Sequence, residues 1–172
     1  EADGPGPLLI PPGLRALKVP VIASGGISSG RAMAAALALG ADGVNMGTRF
    51  ALTQESAIHD NVKQALVKAT ERDTTLIKRT LRHTARYFKN PVSEEIVALE
   101  NPPGGATYED LQHLLAGTRG RSALESGEVD TGLVCASQVI GLIDDIPTCD
   151  ELISGMVREC RAALQEALAK WE

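Results

Sequence analysis

VIASGGISSG, residues 21–30, decides how the front of this chain folds. Val19-Pro20-Val21-Ile22-Ala23-Ser24 is a short β-branched and apolar run, the composition of a strand buried on both faces. Gly25-Gly26 ends it, Ser28-Ser29-Gly30 supplies N-cap chemistry, and Arg31 to Leu39 reads as an alanine-rich helix with Gly40 as its C′ residue. Ala41 to Met46 is a second short strand, ended by Gly47-Thr48. Strand, helix and strand within so short a span form a βαβ unit, which requires parallel strands.

Gly25 and Gly47 therefore each lie just past the C-terminal end of a strand. In parallel α/β architectures those ends converge on the ligand face. Glycine there lets backbone N–H groups approach an anion closely, and the helix that follows adds positive potential. Thr48 adds a hydroxyl donor and Arg49 a charge. Two such breaks on successive strands are what the phosphate site of the last two βα units of a (β/α)8 barrel requires.

The rest of the chain reads as helices and turns. Thr53 caps a helix running to Thr70, Thr74 to Phe88 is a periodic and strongly basic helix, and Pro91 breaks it. Val92 to Glu100 and Tyr108 to Leu115 are helices, and the basic TRGR segment follows. Asp130 to Ile143 reads as a helix of small and apolar residues. Thr148 with Glu151 forms a capping box that starts a final amphipathic helix reaching about Trp171. The opening, EADGPGPLLIPPG at residues 1–13, begins on Glu rather than Met and reads either as an irregular leader or as the middle of a larger protein. Two strands do not make a sheet that stands alone, so the chain is expected to be part of a larger α/β fold.

Composition narrows the functions. Of 172 residues, 44% are hydrophobic and only 3% aromatic, so the core must be built from Ala, Leu, Val and Ile. A formal charge of −5 gives nucleic acid or an anionic membrane no net attraction. No apolar stretch reaches the roughly 18 residues needed to span a bilayer. Cys135, Cys149 and Cys160 have no CxxC spacing, which fits idle thiols in a reducing cytoplasm. No metal site is expected, because His59, His83 and His113 have no ligand spacing and read as surface or structural residues. Asp144-Asp145 reads as solvated, and so does the basic run from Lys78 to Arg86, which could otherwise meet a nicotinamide cofactor's phosphates or an acidic partner. Ser24, Ser28 and Ser29 have no nearby histidine to activate them.

The stretch VPVIASGGISSGRAMAAALALGADGVNMGTRF resembles the strand 7 to strand 8 region of the nitronate monooxygenase (2-nitropropane dioxygenase) family, FMN enzymes on a TIM barrel. LRHTARYFKNPVSEEIVALE, YEDLQHLLAG and GLVCASQVIGLIDDIPTCDELI resemble the family's C-terminal helical region. The resemblance implies an α/β chain carrying only strands 7 and 8 of a (β/α)8 barrel. Residues 1–70 would be the barrel part and 71–172 a helical region packed on it.

It further implies that backbone amides of Gly25, Gly26 and Ile27 hold the FMN phosphate after strand 7, and those of Gly47 and Thr48 after strand 8. Ser24 and Met46 flank these positions, and Gln138, beside Ser137 where the family has glycine, corresponds to a position near the flavin edge. The family's catalytic histidine lies in a stretch of the form EAGGHxG, similar to EADGPG at residues 1–6, with Pro5 in the histidine's place. The catalytic base is thus unassigned, and ionised nitronates are favoured over neutral nitroalkanes.

The expected function is that of a fragment of an FMN-dependent oxidoreductase, with a small-molecule substrate such as an alkyl nitronate and O2 as acceptor. Two alternatives stand beside it. One is an FMN-dependent NAD(P)H oxidoreductase resembling enoyl-ACP or quinone reductases, and the other is an inactive truncated phosphate-binding remnant. IMP dehydrogenase-like barrels share the glycine pattern, but the LRHTAR and IDDIPTC segments argue against them. Neither nucleic acid nor membrane is an expected partner, and the oligomeric state is left open.

Overall fold

The computed structural model describes residues 6–171. In chain order these form α1 (Gly6–Ala16), β1 (Ile22–Ser24), α2 (Gly30–Ala38), β2 (Gly43–Asn45), α3 (Thr48–Ala51), α4 (Asp60–Val67), β3 (Thr74–Ile77), β4 (Ala85–Phe88), α5 (Pro91–Glu100), α6 (Tyr108–Leu115), α7 (Gly117–Ser126), two 3-10 turns and α8 (Cys149–Leu168). Contacts divide them into two compact units. One unit takes the described residues up to Glu55 together with those from Ile146, and the other is Ser56–Asp145. The C-terminal α8 returns to pack along α2, so the first unit draws on both ends of the described chain.

The first unit contains the βαβ motif. β1 and β2 pair in parallel, with Ile22 opposite Gly43 and Ser24 opposite Asn45. Asp42 locks their beginnings: its carboxylate accepts the Val21 N–H at 2.8 Å, and its own N–H donates to the Val21 carbonyl at 2.9 Å. The core beneath them gathers Ala23, Ile27, Ala36 and Ala41 against Leu152 and Met156 of α8. Small alanines let α2 and α8 approach closely, and Ala34, Cys160 and Ala163 extend that contact.

From Gly6 onward the opening segment is helical rather than irregular. α1 forms despite Pro11 and Pro12 inside it, each of which removes an N–H donor. Ile10 anchors it on the core, and the Leu14 side chain sits over Gly40. Proline's fixed φ is compatible with a helix, and the contacts of Ile10 and Leu14 hold α1 in place.

The second unit corrects three readings. Residues 74–88 are not a basic helix but an antiparallel hairpin, with Thr74 opposite Phe88 and Ile77 opposite Ala85. The β-branched Thr74, Thr75 and Ile77 and the aromatic Tyr87 and Phe88 favour strands over helix. The helix expected from Thr53 starts only at Asp60, because His59 Nδ1 accepts the Asn61 N–H at 3.1 Å and caps it there. Thr53 is instead buried, its hydroxyl donating to the Phe50 carbonyl at 2.8 Å. Asp130–Ile143 is not one helix either, holding only the 3-10 turns Val129–Thr131 and Gln138–Leu142. The Asn90 side chain accounts for the first of these, capping α5 while its amide donates to the carbonyls of Val129 and Gly132 at 2.8 and 2.7 Å. The TRGR segment lies within α7. The core of this unit is Ile77, Val92, Ile96, Leu111 and Leu114.

Candidate functional site

The C-terminal ends of β1 and β2 lie side by side, in register at Ser24 and Asn45. Asn45 Nδ2 donates to Ser24 Oγ at 3.1 Å and ties the two ends together. Beyond them the chain turns at Gly25 and Gly26, with φ of 90° and 75°, and at Gly47, the N-cap of α3. The left-handed values explain the glycine pair, since a β-carbon there is strained whatever the surrounding space. The space itself is open: a β-carbon at Gly25, Gly26 or Gly47 would meet nothing within 4 Å. All three glycines are exposed. Parallel strands run about 4.8 Å apart, so the two turns can address one small anion from adjacent sides.

Ile27 and Ser28 follow, both buried, and pin the turn to the core. Ser29 caps α2 by accepting the Ala32 N–H at 3.2 Å. The first N–H of α2, on Gly30, donates to Glu159 Oε2 at 2.7 Å. A side-chain carboxylate from α8 thus occupies the helix terminus that the sequence offered to a ligand. Thr48 is half-buried at the start of α3, and Arg49 is buried at 6% exposure rather than aimed at solvent. Met46 packs on the core.

The structure brings Gly25, Gly26, Ile27, Gly47 and Thr48 into one unit, whereas Gln138, exposed at the start of a 3-10 turn, belongs to the other. Pro5 lies outside the described residues. His59 is a helix cap, His83 is exposed, and His113 sits in the last turn of α6. Among the described residues no group of His, Cys, Asp or Glu could hold a metal ion.

Shifted carboxyls lie elsewhere. Asp73, Asp110 and Glu151 are held below the ordinary carboxylate range, first by backbone N–H donors and then by the hydroxyls of Thr70, Thr107 and Thr148. Glu166 is lowered by its hydrogen bond and charge pairing with Arg31. Asp110 and Glu151 belong to helix caps, Asp73 to a turn and Glu166 to a surface ion pair, and none lies at the C-terminal end of β1 or β2. Glu159 was not legible as a site residue, because no local pattern marks a side chain that reaches α2 from the far end of the chain.

The nitronate monooxygenase family model matches residues 6–159. A Rhodococcus jostii protein, (3aS,4S,5R,7aS)-5-hydroxy-7a-methyl-1-oxo-octahydro-1H-indene-4-carboxyl-CoA dehydrogenase, is 32% identical over 88% of this chain and 53% of its own length. A probable nitronate monooxygenase of Staphylococcus aureus is 28% identical over 91% of this chain and 43% of its own. Among solved structures, FabK from Thermotoga maritima superposes with a TM-score of 0.86 at 34% identity, covering 98% of this chain and 53% of FabK. The nitroalkane oxidase of Streptomyces ansochromogenes gives 0.74 at 27% identity, covering 94% of this chain and 45% of its own. The chain thus spans about half the length of the relatives it matches. No helix among the described residues is long and apolar enough to cross a membrane. The chain is an α/β member of the nitronate monooxygenase family of oxidoreductases.

Proposed function

We propose that this chain is the phosphate-holding part of a cytoplasmic, FMN-dependent oxidoreductase built on a (β/α)8 barrel, with β1 and β2 as strands 7 and 8. The observation that carries the reading is the adjacency of two glycine-bearing strand ends, tied by Asn45 and Ser24. The backbone N–H groups of Gly25, Gly26 and Ile27 on one side, and of Gly47 and Thr48 on the other, hold the phosphate. The residues fit the group, because a β-carbon on any of the three glycines would enter the open space that an anion needs. FMN, when bound, supplies the electron-transfer chemistry, and the protein orients it. Further strands pairing with the two described here are supported by Val19 and Ile22, 63% and 55% exposed beside the free edge of β1.

The substrate is an already ionised small molecule of the alkyl nitronate class, with O2 as acceptor, since Pro5 can abstract no proton. A second reading, an FMN-dependent NAD(P)H oxidoreductase of the enoyl-ACP or quinone reductase kind, is favoured by the stronger likeness to FabK than to the nitroalkane oxidase. Anaerobic mixing of the flavin-loaded protein with propyl-2-nitronate or with NAD(P)H separates them. Bleaching of the flavin band by the nitronate supports the first reading and bleaching by NAD(P)H the second. Bleaching by neither defeats both and leaves an inactive phosphate-binding remnant.

A further inference from the structure

The β3–β4 hairpin carries a charge concentration that the FMN cradle does not use. Lys78, Arg79, Arg82, Arg86 and Lys89 fall close together, and no Asp or Glu occurs between Asp73 and Glu94. The chain as a whole carries −5, so this tip opposes its net charge.

The tip is built rather than loose. Lys78 and Arg82 sit at φ of 62° and 52°, the left-handed region that favours glycine. Such backbone persists only where surrounding structure over-determines it. Glu100 of α5 supplies that structure. One of its oxygens accepts the Lys78 N–H at 2.9 Å, and the other accepts the Thr80 N–H and hydroxyl at 3.1 and 3.0 Å. The Thr80 hydroxyl shares its one hydrogen between Glu100 and the Ala106 carbonyl, the latter 2.9 Å from Oγ1. Lys78 Nζ donates to the Tyr87 hydroxyl at 3.0 Å and lies 5.2 Å from the ring centroid, so it is held at the phenol's oxygen end rather than over its face.

Arg79 and Arg82 are what this scaffold presents. Both are exposed, and among the described residues neither makes a side-chain ion pair. The neighbouring acids are engaged: Glu100 with the tip backbone, and Asp73 with the Thr70 N–H and hydroxyl. Arg86 donates to Thr74 Oγ1 and is set into the strand pair. Guanidinium forks match phosphate oxygens in pairs, and a pre-ordered tip loses less entropy on binding. A compact anion with several phosphates suits one such tip, whereas a long polyanion would meet the net-acidic remainder of the surface.

We propose that the hairpin tip, through Arg79 and Arg82, docks a small ligand carrying several phosphates, the chemistry shared by a CoA thioester and NADP(H). The ligand class rests on the oxidoreductase reading, and the site rests on the hairpin alone. The test is calorimetric titration of the full chain with CoA, 3′-dephospho-CoA, NADP+ and NAD+, with flavin content measured by absorbance in the same samples.

The expected result is binding of CoA or of NADP+. Removing the ribose monophosphate should weaken it about ten-fold, as should Arg79→Gln and Arg82→Gly, each deleting one charge-assisted contact. Arg82→Gly leaves the left-handed backbone unstrained, so a loss of binding there reports the charge. Arg121→Gln, on an arginine paired with Glu125 in α7, should change nothing. CoA-selective binding identifies the acyl carrier, and NADP+-selective binding the hydride donor. Undiminished affinity in both tip variants overturns the site, as does a flavin-bearing protein that binds none of the four nucleotides. Nucleotide binding through the arginines without flavin would keep the site and sink the oxidoreductase reading.

Discussion

The Gly30 N–H donates to Glu159 Oε2 at 2.7 Å, joining the first turn of α2 to α8 across most of the chain's length. Gly30 permits that approach. A β-carbon on it would lie 2.7 Å from the Cys160 backbone nitrogen and hard against the Met156 carbonyl. Backbone atoms cannot rotate away, so the helices would have to separate. Gly30→Ala is therefore expected to cost about 1–3 kcal/mol, the range for overpacking. Glu159→Gln keeps an acceptor and should cost less. Denaturant melts of the two variants check the order, and a neutral Gly30→Ala would contradict the close packing.

A second prediction concerns the glycine turn. Gly25 and Gly26 have positive φ but no neighbour for a β-carbon. Gly26→Ala should lower stability by only about 1 kcal/mol, the penalty of left-handed backbone. On the proposed function it should also weaken FMN binding, because the methyl enters the space of the phosphate. Thermal melts and flavin titration on one sample separate the effects. Stability loss with unchanged FMN affinity would remove Gly26 from the cradle.

The capping boxes give a pH prediction with a definite sign. Thr148 donates its N–H and hydroxyl to the Glu151 carboxylate at 2.9 and 2.8 Å, and Thr107 does the same for Asp110. Both carboxyls are held below their ordinary values in the folded chain. Their contribution is complete above the unfolded carboxyl pKa and is lost as pH falls through the lowered folded value. Glu151→Gln should thus destabilise at neutral pH and match the parent in strong acid. A difference constant across that range would contradict the linkage.

His59 tests whether any histidine here does chemistry. Its Nδ1 caps α4, and its ring lies where a β-carbon on Gly127 would fall. His59→Ala should cost about 1 kcal/mol, the usual loss for a cap, and His59→Asn should recover most of it. Neither should alter the reduction rate of bound flavin. A rate collapse in His59→Asn with stability intact would make the residue catalytic.

Local signals carried much of the reading. Ser29 and Thr148 stand at the caps where their sequence context placed them, and the βαβ unit pairs as the two glycine breaks required. The misreadings share a cause. The turn at residues 78–84 uses Lys78 and Arg82 rather than glycine in left-handed backbone, stabilised by Glu100 from a distant helix. The chain after Asn90 is likewise shaped by an amide reaching Val129 and Gly132. Single side chains acting across long separations leave no periodicity to read. For the site, the glycines were legible, but the closure of the α2 terminus by Glu159 was not.

On the proposed function, the adjacent glycine-bearing strand ends hold a phosphate. Parallel titrations with FMN and riboflavin, which differ by that phosphate alone, test it most directly. FMN should bind at least about ten-fold more tightly, as expected for a charge-assisted hydrogen-bond set. Equal affinity for the two flavins, or no binding of FMN, would contradict it.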